Sequence, residues 1–153
     1  DERPLMRTLL VATLLGLAAL PAAADKVRLP PNPAYKAECA SCHVAYPPAL
    51  LTAESWRKLM AGLDRHFGSD ASLDAKAHEE ISRYLAANAG RRDVPPGEEP
   101  RITTTRWFHK EHDREVPAAL WKSAAVKSAA NCGACHTRAE DGDYSERTLR
   151  LPQ

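Results

Sequence analysis

The sequence predicts a small all-α protein with long irregular connections, and three observations lead there. Apolar residues recur at helical spacing in two stretches, Trp56, Leu59, Met60, Leu63 and Phe67, then Leu73, Ala77, Ile81, Tyr84 and Leu85. No long run of Val, Ile or Tyr suggests a sheet. The pentapeptide Cys39-Ala40-Ser41-Cys42-His43 returns as Cys132-Gly133-Ala134-Cys135-His136. C-x-x-C-H is the signature of c-type haem attachment. Two thiols on one short turn can each form a thioether with one vinyl group of the porphyrin, and the next histidine then lies beneath the iron as its proximal ligand. The two copies use all 4 cysteines of the chain. Two covalently bound haems are therefore expected, with the helices organised around them.

Composition agrees. With 153 residues the chain is long enough for one domain or two small ones. Lys+Arg 21 against Asp+Glu 20 gives no reason to expect a nucleic-acid partner. Only 6% of residues are aromatic, so two porphyrins would supply apolar bulk that the side chains lack.

Residues 1–24 read as upstream sequence plus a cleaved secretory signal. Met6 and Arg7 precede the apolar run Leu9 to Leu20, and Ala22-Ala23-Ala24 offers small residues at the cut before Asp25. The run is shorter than the ~20 apolar residues that span a bilayer. An uncleaved anchor is the competing reading. Export to the periplasm follows, and membrane contact is expected only through a partner.

From Asp25 to Pro33 prolines punctuate an extended stretch. Ala34 to His43 reads as a short helix delivering the first motif, ended by Tyr46-Pro47-Pro48. An amphipathic helix is expected from Thr52, its N-cap, to His66, stopped by Gly68. A second runs from about Leu73 to Asn88, capped by Ser72 and closed by Gly90. Arg91 to Thr104, rich in proline and charge, is the linker candidate, dividing the exported chain into a first haem-binding half (25–92) and a second (93–153) expected to pack together as one compact unit. The motif leads its helices in the first half and follows them in the second, which argues against simple duplication. Thr105 to Glu115 reads as a short helix, and Pro117 opens another that runs through Ala130 into Cys132. The tail beyond Thr137 is polar and irregular.

The sixth ligand decides the chemistry, because a second protein ligand makes an electron carrier and an open position permits oxygen or peroxide chemistry. Met60 is the single methionine after the signal and lies inside an apolar stripe, where core packing is its expected role. His43 and His136 are proximal, so His66, His78, His109 and His112 remain for two positions. In a continuous helix His66 lies roughly 20° from Leu59 at the edge of the stripe; it is preferred for the first iron, with His78 behind it. His112 shares a four-residue spacing with Phe108 and Val116 and is preferred over His109 for the second.

Several runs, Pro47-Pro48-Ala49-Leu50-Leu51, His66-Phe67-Gly68, Trp107-Phe108 through His112-Asp113, and Ala130-Asn131-Cys132 to Ala139, resemble the dihaem cytochrome c family over residues from about Ala34 to the end. The resemblance implies a mostly helical electron-transfer protein, not an enzyme, with two haem c groups and histidine on both faces of each iron. It also implies that electrons pass between a membrane b-type cytochrome and a small soluble haem protein. Residue by residue it supports Cys39, Cys42, His43, Cys132, Cys135 and His136, together with His66 and His112; the extra His109 is a departure from the pattern or a neutral variation of it. Lys122, Lys127 and Arg138 are candidates for the charged ring that meets a partner.

Three alternatives compete. A dihaem enzyme of the peroxidase type would leave one iron open, but such enzymes are generally much longer. A zinc site needs its cysteine pairs ~15–20 residues apart, far closer than Cys42 and Cys132. A disulfide or thioredoxin-like dithiol leaves the histidine after both motifs unexplained.

Overall fold

The computed structural model describes residues 31–152; the expected signal at 1–24 lies outside them. The described residues contain four α-helices and no strand. Their β-type pairing is limited to isolated bridges, such as His66 with Ser69 and His136 with Leu149. The all-α expectation therefore holds. No helix among the described residues is long and apolar enough to cross a membrane.

Helix α1 spans Pro33–Cys39, with Asn32 as N-cap accepting from Tyr35 N at 2.7 Å. The first attachment turn thus begins on the last residue of a helix, close to the expected register. Helix α2 spans Ala53–Met60, and Thr52 caps it as expected, its Oγ1 accepting from Ser55 N at 3.2 Å. The helix does not reach His66. It ends on Ala61 and Gly62, and residues 63–65 form a separate 3-10 turn. Gly62 stops the helix six residues before Gly68, as the weak helical preference of glycine allows.

Helix α3 spans Ala75–Ala87 and is capped by Asp74, not Ser72; one Oδ1 of Asp74 accepts from Lys76 N at 2.9 Å and Ala77 N at 3.0 Å. Asn88 ends the helix. Gly90 serves a different purpose from the expected stop: a Cβ there would collide with the Ala49 carbonyl. That close approach lets Gly90 N donate to Leu51 O at 2.8 Å.

Helices α1 and α2 both pack on α3. Tyr35, Leu51, Trp56, Met60, Ile81 and Leu85 bury together as the core. Met60 is a core residue, as its position in the stripe suggested. Trp56 Nε1 donates to Pro48 O at 2.7 Å, so the indole is satisfied inside the core. Phe67 departs from the expected stripe and is 40% exposed, because the chain leaves the helix before reaching it.

Helix α4 spans Arg106–His112, capped by Thr105, whose Oγ1 accepts from Phe108 N at 3.1 Å and donates to Ile102 O at 2.8 Å. The helix expected from Pro117 to Ala130 is absent. A single 3-10 turn at Leu120–Lys122 stands there, and Lys127 takes a left-handed φ of 65°. Leu120, Trp121 and Val126 give this stretch too narrow an apolar face to hold a helix in place, since helices draw most of their stability from packing such a face.

Candidate haem sites

Each attachment turn carries its histidine to meet a second histidine from elsewhere. His43 and His66 face each other with ring centroids 6.3 Å apart and planes inclined by 32°. His136 and His112 do the same at 6.2 Å and 77°. Two imidazoles bound on opposite sides of one metal at ~2.0–2.1 Å per nitrogen, with roughly 1.1 Å from nitrogen to ring centre, have centroids about 6.3 Å apart. Both pairs match that separation.

His66 arrives by a route the helical argument did not foresee. It terminates the 63–65 turn, and its carbonyl accepts from Ser69 N at 3.1 Å. Burial, then the neighbouring His43 and Arg101, lower its pKa. Burial followed by His112 does the same for His136. Both are thereby held neutral, the form that ligates metals. His112 is fixed by helix α4: its Nδ1 donates to Phe108 O at 2.8 Å and its ring stacks on Phe108 at 4.1 Å. On the proximal side of the first pair, His43 Nδ1 donates to Val44 O at 2.7 Å. In both residues the hydrogen bond leaves Nε2 for a metal.

The other two histidines stand apart from these pairs. His78 Nε2 donates to Met60 O at 3.0 Å, stitching α3 to α2. His109 projects outward and pairs with Asp113 at 3.2 Å.

All four thiols are unpaired. Burial, then Glu38, pushes Cys39 up to about 11, and burial, then Cys135, pushes Cys132 up to about 11. Burial raises Cys135 as well. Such thiols are protonated at neutral pH, unlike the low-pKa cysteine of a thioredoxin-like dithiol. Among the described residues no group of three or more His, Cys, Asp or Glu side chains is arranged to hold a metal ion, as a zinc site built from both pairs would require.

Open space adjoins the first turn and lies between the two turns, though His66, His112 and His136 line neither cavity. A cavity of about 310 Å³ separates the two motifs, bounded by Cys42, His43 and Tyr46 on one side and Ala130 and Cys132 on the other. A larger one of about 800 Å³ opens beside the first motif against Tyr35 and Tyr84. At the second motif His136 Nδ1 and Tyr144 Oη are buried without a hydrogen-bond partner, their rings 5.2 Å apart. Buried polar atoms are nearly always paired, so these two mark a place completed by a further polar group.

Three aromatic residues beside the sites were not singled out in the sequence. Tyr46 stacks on His43 at 4.5 Å, and its hydroxyl donates to Ala130 O at 2.6 Å. Trp121 lies 5.9 Å from both Phe108 and His112. Tyr144 backs His136. A tyrosine three residues beyond the first motif was the one available signal.

The profile of the family described as dihaem cytochrome c matches residues 35–144. A crystal structure of a dihaem cytochrome c (DHC) purified from Rhodobacter sphaeroides is 43% identical, with a TM-score of 0.67 over 76% of this chain and 100% of that one. The X-ray structure of a dihaem cytochrome type c from Shewanella baltica OS155 is 38% identical, with a TM-score of 0.70 over 81% of this chain and 95% of that one. None of the curated protein sequences matches it. Paired attachment turns, a helical scaffold shaped around them and this likeness converge on one conclusion: the chain belongs to the dihaem cytochrome c family and carries two covalently bound haem c groups.

Proposed function

We propose that this protein is a periplasmic electron shuttle with two bis-histidine irons, His43 and His66 at the first and His136 and His112 at the second. It accepts electrons from a membrane b-type cytochrome and delivers them to a small soluble haem protein. Electron transfer is the role that membership of the family implies. The observation carrying the finer reading is the pair of imidazole separations, 6.3 and 6.2 Å, which match each other and the span of a metal ligated on both faces.

The haems supply the one-electron iron couple, and the chain does the rest. Thioethers from Cys39 and Cys42, and from Cys132 and Cys135, keep each group at its turn. Two neutral imidazoles per iron keep the coordination number the same in both oxidation states, so little rearrangement accompanies gain or loss of an electron, and they favour a lower potential than a His/Met pair. Phe108 and Trp121 wall the His112 side against water. Exposed Lys122 and Lys127 offer charge to a partner near the second motif, whereas Arg138 is engaged by Asp141 at 3.0 Å. The peroxidase-type alternative requires an iron with no opposing side chain, and a histidine faces each proximal ring here.

Low-temperature spin-resonance spectra of the oxidised protein test this reading. Two low-spin signals are expected. A high-spin signal in the resting protein would overturn the ligation and move the protein towards peroxide chemistry.

A further inference from the structure

The two distal histidines are held in unequal ways. His112 belongs to helix α4, donates from Nδ1 to Phe108 O at 2.8 Å, stacks on Phe108 at 4.1 Å and meets Trp121 at 5.9 Å. His66 lies between two turns, and neither ring nitrogen has a hydrogen-bond partner among the described residues. Its ring meets Phe67 at 4.8 Å besides His43.

The next residue is strained. Phe67 takes a φ of 49°, a region that a bulky side chain rarely adopts. Strain of this kind persists only where the surroundings enforce it. The enforcement here is slight: Phe67 is 40% exposed, and the Arg101 guanidinium lies over its ring at 3.8 Å. Beyond it Gly68 has a φ of 95°, a ready hinge. Two backbone bonds hold the loop, Ser69 N to His66 O at 3.1 Å and Ala71 N to Leu63 O at 2.8 Å. Absence of the outer hydrogen bond on a ligating histidine weakens metal binding ~10–100-fold; the proximal His136 lacks one as well, but the covalent turn beside it holds it in place, whereas at His66 release of the Phe67 turn acts in the same direction.

From this asymmetry we infer that the distal face of the first iron is a binding site for small neutral π-acceptor molecules of the carbon monoxide and nitric oxide class. Such a molecule displaces His66 from the reduced iron, while His112 stays bound at the second. The step exchanges one neutral ligand for another. The bond from the His66 nitrogen to iron breaks, a bond from carbon of carbon monoxide to iron forms, and no electron or proton changes hands. The inference rests on the bis-histidine ligation proposed above.

Titration of the reduced holoprotein with carbon monoxide tests it. The wild type is expected to bind one molecule per chain, at a rate that levels off with rising carbon monoxide because His66 release limits it. His66→Ala is expected to bind one as well, now rapidly and in proportion to concentration. His112→Ala is expected to bind two. Uptake of none or two by the wild type, two by His66→Ala, or one by His112→Ala would overturn the assignment, and the two variants answer independently should one fail to load haem. Two low-spin resting signals with no carbon monoxide uptake would remove this inference alone; a high-spin resting signal would remove the ligation on which it rests.

Discussion

The Tyr46 hydroxyl donates a 2.6 Å hydrogen bond to the carbonyl of Ala130, 84 residues further along the chain. The ring carrying that hydroxyl is stacked on His43, so the proximal side of the first site is fastened to the backbone entering the second motif. A second bond of 2.6 Å, from Tyr35 Oη to Tyr46 O, ties the same residue back to α1.

Tyr46→Phe keeps the stacked ring and removes the bond between the sites. Loss of a single hydrogen bond of this kind is expected to cost about 0.5–1.5 kcal/mol. Ala130 O keeps a contact from Cys132 N at 3.0 Å, so no acceptor is orphaned and the lower half of that range applies. Denaturant unfolding of the holoprotein measures the cost, and a loss above 3 kcal/mol would show that the hydroxyl does more than this bond.

The four non-proximal histidines separate into two classes. His66→Ala and His112→Ala are each expected to convert one of two irons from low to high spin. His78→Ala and His109→Ala are expected to leave the oxidised spectrum unchanged, since one donates to Met60 O and the other pairs with Asp113. A high-spin signal from either of the latter would reassign the distal ligand.

Thr105→Ala removes the N-cap of α4, the helix that ends on His112. Cap loss costs about 1 kcal/mol, within a range of ~0.5–2. Thr105 is fully buried, so the loss is expected towards the upper end. Because α4 carries a distal histidine, a high-spin fraction from the second site is expected to appear during thermal melting before the first responds, and Thr105→Ser, which retains the hydroxyl, is expected to restore the wild-type order. Absorbance followed through the melt distinguishes the two.

Ile81→Ala leaves a hole beneath the α1, α2 and α3 contacts. Ile81 is completely buried. A cost of about 2–5 kcal/mol is expected, measured by calorimetry on the holoprotein, while the haem content per chain stays at two.

What the sequence made legible follows the range of the forces involved. The attachment turns are local chemistry, readable from five residues. Thr52 caps its helix through a contact three residues away and was readable for the same reason. The end of α2 was not, because Gly62 gives a weaker signal than Gly68 two residues after His66. His66 therefore lies beyond the helix from which its angle to Leu59 is counted, and a turn brings its ring opposite His43 instead. The stretch from Pro117 to Ala130 shows the opposite limit: its alanines favour helix, but nothing packs along such a helix. Tyr46 was invisible as a link because its partner lies in the other motif, and no pattern in one segment records a contact made with a distant one.

The two attachment turns differ in access: Cys42 is exposed and Cys39 half-buried, whereas Cys132 is half-buried and Cys135 buried. A reagent or enzyme that modifies thiols therefore reaches the first turn of the closed chain more readily than the second, whose Cys135 comes within reach only as the chain opens.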